Sequence, residues 1–132
     1  MYSIILIAHI IISIILTIVA CYIVVRSFIG LIKGLFFSNF LDFYIPVFAV
    51  VLLYLELVLG LLLYYMHMSK LEGFISQTNA NDYFSSRFWA IEHTILMIFA
   101  IIFGHLALVY SKNLSNNIAK YKMNLLYFGL SF

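Results

Sequence analysis

Three runs of almost uninterrupted apolar residues, each about 20 long, fix what this chain can become. They cover about residues 4–25, 44–66 and 89–110. As helix, each run is roughly 30 Å long, the thickness of the hydrocarbon core of a bilayer. The chain has 132 residues, of which 66% are hydrophobic and 9% charged. No soluble domain of that size hides so much apolar surface, because a small domain keeps a large share of its residues outside. The expected fold is therefore all-α and integral to the membrane: one domain, residues 1–132, forming a small helical bundle. A fourth apolar stretch, about residues 118–132, would span only about 22 Å as helix. It is expected to enter the bilayer as a partial span beside the three full ones.

The connections sort by charge. Residues 26–43 carry Arg26 and Lys33, and the segment from residue 111 carries Lys112, Lys120 and Lys122. The N-terminus and residues 68–86, with Arg87 directly after them, hold only Lys70 and Arg87. The positive-inside rule then puts loops 26–43 and 111–120 in the cytoplasm, with the N-terminus and loop 68–86 outside the inner (plasma) membrane. The sequence has no internal repeat and no Gly-rich phosphate loop, and nothing in it points to nucleic acid. Its single cysteine, Cys21, excludes an internal disulfide and any Cys-rich metal or iron–sulfur site.

Polar side chains inside such segments are costly and by default mark function. In the first span a stripe at helical spacing joins His9, Ser13, Thr17 and Ala20, and in the third His93, Met97, Ala100 and Gly104 follow the same rule. Both histidines fall a few residues inside the same face of the membrane, so their depths match. Two neutral imidazoles at one level, with small residues below them, suit a haem ligated on both axial sides. Arg87, just above His93, is placed to pair with haem propionates. Glu56 lies mid-span, aligned with Gly60, Leu63 and His67. Protonation, a bond to Thr17 or a tyrosine, or a place on a proton route would each explain it. His105, about 18 Å along the helix from His93, is expected to hydrogen-bond a neighbouring helix, or to join Glu56 on that route.

The run Ser86-Arg87-Phe88-Trp89-Ala90-Ile91-Glu92-His93, with Ala119-Lys120-Tyr121-Lys122 opening the last helix, resembles a family of small four-span proteins from Bacteroidota labelled "cytochrome B". The family pattern is RFW or RYW, then x-x-E-H, at the start of span three. His9 and Ser13 partly follow its first-span histidine segment. Glu56-Leu57-Val58-Leu59-Gly60-Leu61-Leu62-Leu63-Tyr64-Tyr65 follows its second-span signature, with Glu56 where the family usually has Gln. The resemblance implies His9 and His93 as ligands of haem b.

Three functions are expected in competition. The first is a b-type haem subunit that transfers electrons in a respiratory-type complex, between quinone and a partner chain. The second is a cofactor-free accessory subunit bracing other membrane subunits. The third is a proton-path subunit using Glu56 and His105. None needs a catalytic constellation, and an electron carrier or accessory subunit is expected rather than an enzyme.

Overall fold

The computed structural model describes the backbone of residues 1–71 and 80–132, and the side chains of residues 1–67 and 91–132. The chain forms α1 (Tyr2–Lys33), a π-helical turn (Asn39–Tyr44), α2 (Ile45–Leu71), α3 (Ala80–Asn113) and α4 (Asn117–Ser131), with no strand among the described residues. Three segments, Tyr2–Lys33, Asn39–His67 and Ile91–Asn113, are long and apolar enough to cross a membrane. This is a small all-α bundle of a multi-pass membrane protein. Its outward faces carry Ile4, Ile7, Ile18, Val58 and Leu96, all exposed, which only a lipid environment accommodates.

The helices run well past the apolar runs that announce them. α1 continues to Lys33 through the expected loop at 26–43, α2 reaches Leu71 and α3 begins at Ala80, inside the expected loop at 68–86. Charge ends the greasy stretch but does not end a helix, whose backbone is as well satisfied in the headgroup layer as in hydrocarbon. α1 stops at Gly34, which takes the left-handed conformation (φ 60°, ψ 39°) and donates its N–H to the carbonyl of Gly30.

Each helix packs on two neighbours. α1 lies against α2 and α4, and α3 against the same two; α1 and α3 stand on one diagonal of the bundle, α2 and α4 on the other. Leu16, Ile23, Ala49, Leu53, Ala107 and Phe128 fill the middle. Small residues set the close approaches. A Cβ on Gly104 would lie 2.9 Å from Cγ2 of Val50, and one on Gly30 would lie 2.6 Å from the ring of Tyr121. α4 is 15 residues long and buries Tyr121, Asn124 and Phe128, the face spaced to lie along one side of a helix.

At the end of the bundle where α1 stops, a polar knot holds all these parts. Asp42, in the π-helical turn, is 3% exposed. Its carboxylate accepts from Nε and Nη2 of Arg26 (2.9 and 3.3 Å), from the N–H of Ser38 (2.7 Å) and from the Tyr121 hydroxyl (2.8 Å). A buried charge is tolerated only when it is paired and hydrogen-bonded in this way. Pro46, buried one turn later, has no N–H to return to the carbonyl four residues before it, that of Asp42. Nδ2 of Asn124 donates to this carbonyl at 3.1 Å instead. Oδ1 of the same amide accepts from the Ser111 hydroxyl on α3. One side chain of α4 therefore ties the start of α2 to the end of α3.

Candidate functional site

The opposite half of the bundle holds the other polar cluster. His9 comes from α1, Glu56 from α2 and His93 from α3. Glu56 is 3% exposed in the middle of its span. Nδ1 of His9 meets its Oε2, and the Ser13 hydroxyl, one turn after His9, donates to Oε1 at 3.0 Å. The partner of Glu56 is thus the histidine and serine of α1, not Thr17 or a tyrosine. Thr17 turns its hydroxyl back to the carbonyl of Ser13 (2.8 Å), as a threonine within a helix commonly does.

His9 and His93 come together. Their ring centres lie 6.3 Å apart with the planes at 86°, although the backbones of α1 and α3 keep to opposite corners. Gly60 faces the same imidazole: a Cβ there would sit 3.8 Å from Cε1 of His9. Two open-sided clefts flank Glu56 and share His93 and Met97 as lining. One, of about 50 Å³, runs between Gly60, Tyr64 and Thr94; the other, of about 180 Å³, runs between Ser13, Thr17 and Ala100. The small residues that follow each histidine along its stripe are therefore what opens the space beside it.

The two imidazoles are spaced as a pair of ligands on one metal ion would be. A metal–imidazole bond is about 2 Å, so two such rings on one ion have centres roughly 6 Å apart, close to the separation seen. The Glu56 carboxylate on Nδ1 of His9 leaves Nε2 as the ring nitrogen for a ligand, and a carboxylate on the other nitrogen is what metal-ligating histidines usually carry. Among the described residues no group of three or more His, Cys, Asp or Glu gathers to hold a bare metal ion. A haem would supply the remaining ligands to such a pair.

The other expected residues fall elsewhere. Nε2 of His105 shares a 2.6 Å hydrogen bond with the Tyr54 hydroxyl on α2, so it braces two helices and does not approach Glu56 as its partner. Glu92 and His67 are exposed. Arg87 belongs to α3, but its side chain, like those of Lys70, Phe88 and Trp89, lies outside the described residues. Among the described residues, the Asp42 carboxylate accepts more hydrogen bonds than any residue singled out from the sequence, and Asn124 makes as many polar contacts as Glu56. The signals were there: an aspartate four residues before the only proline, and an asparagine inside an apolar stretch. Comparison with protein families, with characterised proteins and with solved structures finds no match to this chain.

Proposed function

We propose that this chain is a b-type haem subunit that carries electrons within a larger respiratory-type membrane complex, with His9 and His93 as the axial pair. The observation that carries the reading is the meeting of two imidazoles from diagonal helices at one level, with ring centres 6.3 Å apart. When bound, haem supplies reversible one-electron transfer. His9 is oriented by Glu56, and Glu56 in turn by Ser13, so the donor atom of His9 is fixed before anything binds. Gly60, Met97 and Ala100 line the open space beside the pair. The positive-inside rule sets the histidine end outward and the Arg26–Asp42 end toward the cytoplasm. Quinone and a partner subunit are the natural neighbours of such a carrier.

A second reading rests on the same cluster. His9, Ser13 and Glu56 satisfy one another and pin α1 to α2, so they also serve as a structural knot in an accessory subunit without cofactor. Reduced-minus-oxidised spectroscopy of the purified chain separates the two. A b-type α band is expected, abolished by His9→Ala and by His93→Ala and kept by His105→Ala. Folded protein, supplied with haem, that shows no such band leaves the accessory reading in place.

A further inference from the structure

A cavity of about 200 Å³ opens at the Arg26–Asp42 end of the bundle, between the π-helical turn and the α3–α4 junction. Lys112 closes α3 and Lys120 lies in the first turn of α4, and both line this cavity, with Phe37, Asn39, Tyr44 and buried Ser111 completing its wall. The ammonium of Lys120 sits 5.0 Å above the centre of the Phe37 ring, which holds the charge in place. Neither lysine has a carboxylate within ion-pair reach among the described residues, where the ion pairs are His9–Glu56 and Arg26–Asp42. Asp42, the nearest acid in the fold, spends its carboxylate on Arg26, Ser38 and Tyr121. Two positive charges thus share one hollow without an internal counter-ion among the described residues. The hollow lies where two spans end, Asn39–His67 and Ile91–Asn113, and Tyr44 is 60% exposed beside it, an aromatic at the level of the headgroups.

We propose that this cavity binds the phosphate of an anionic phospholipid headgroup, held between Lys112 and Lys120, with Asn39 able to donate to it. Basic hollows between helices at the membrane surface are suited to such headgroups. A free phosphate ion offers the same charge, but the hollow opens where two membrane spans end, beside exposed Tyr44, which favours a ligand that brings acyl chains.

Native mass spectrometry of the full chain in detergent, titrated with phosphatidylglycerol or with phosphatidylcholine of the same acyl chains, tests this. One tightly held phosphatidylglycerol is expected, with phosphatidylcholine much weaker. Lys112→Gln and Lys120→Gln should each weaken binding about fivefold, whereas Lys120→Arg, Lys33→Gln and Lys122→Gln should leave it. Millimolar inorganic phosphate should not displace the lipid. Equal losses from Lys33→Gln or Lys122→Gln would mean diffuse attraction, and displacement by phosphate would mean an ion site; either result overturns the proposal.

Discussion

Glu56 decides how the histidine end behaves. Its two oxygens are divided between His9 and Ser13, so the side chain matters as an acceptor before it matters as a charge. Glu56→Gln keeps the shape and one acceptor, and is expected to cost under about 1 kcal/mol of stability. Glu56→Leu strands the imidazole nitrogen and the serine hydroxyl, and is expected to cost about 1–3 kcal/mol for a buried group left unpaired. Thermal unfolding in detergent measures both. If haem is held as proposed, Glu56→Leu should also lower its affinity by about 10- to 100-fold, the usual effect of losing a carboxylate that orients a ligating histidine, as read by haem titration. Part of this was legible in the sequence. The matched depths of His9 and His93 follow from counting residues inward from the ends of two spans. The partner of Glu56 was not legible, because helical periodicity gives the face of a residue but not the rotation of one helix against the next.

At the scale of elements, α4 is the informative one. Its length and apolar composition predict a partial span, and a 15-residue helix is found. What holds it was hidden, since one of its attachments is a side-chain bond to a backbone carbonyl that proline leaves short of a donor. A pattern of apolar residues reports burial, not which polar groups find each other. Asn124→Leu removes the donor to the Asp42 carbonyl and the acceptor for Ser111 together. A loss of about 2–5 kcal/mol is expected from two unsatisfied buried groups, with α4 becoming the first segment cut by protease. Equal stability of Asn124→Leu and the natural chain would show that apolar packing of Tyr121 and Phe128 suffices to seat the helix.

For the molecule as a whole, charge is lopsided: Arg26, Lys33, Lys112, Lys120 and Lys122 gather at one end, leaving two of the seven cations for the other. With Cys21 replaced by serine, a cysteine placed at Lys33 or Lys122 should resist a membrane-impermeant maleimide in intact cells, while one at Ser3 should react; the reverse pattern would invert the orientation proposed above. The three spans were visible from composition alone, because lipid imposes a length that water does not. Their square arrangement was not, since every outward face is equally apolar. That arrangement has an effect on the imidazoles. Helices on a diagonal have no seam of their own, so the gap between His9 and His93 is dictated by four other seams acting as a frame. A methyl added at Gly104, wedged against Val50, would be felt two helical turns and more away as a change in the bite of the histidine pair, although neither ring had been touched.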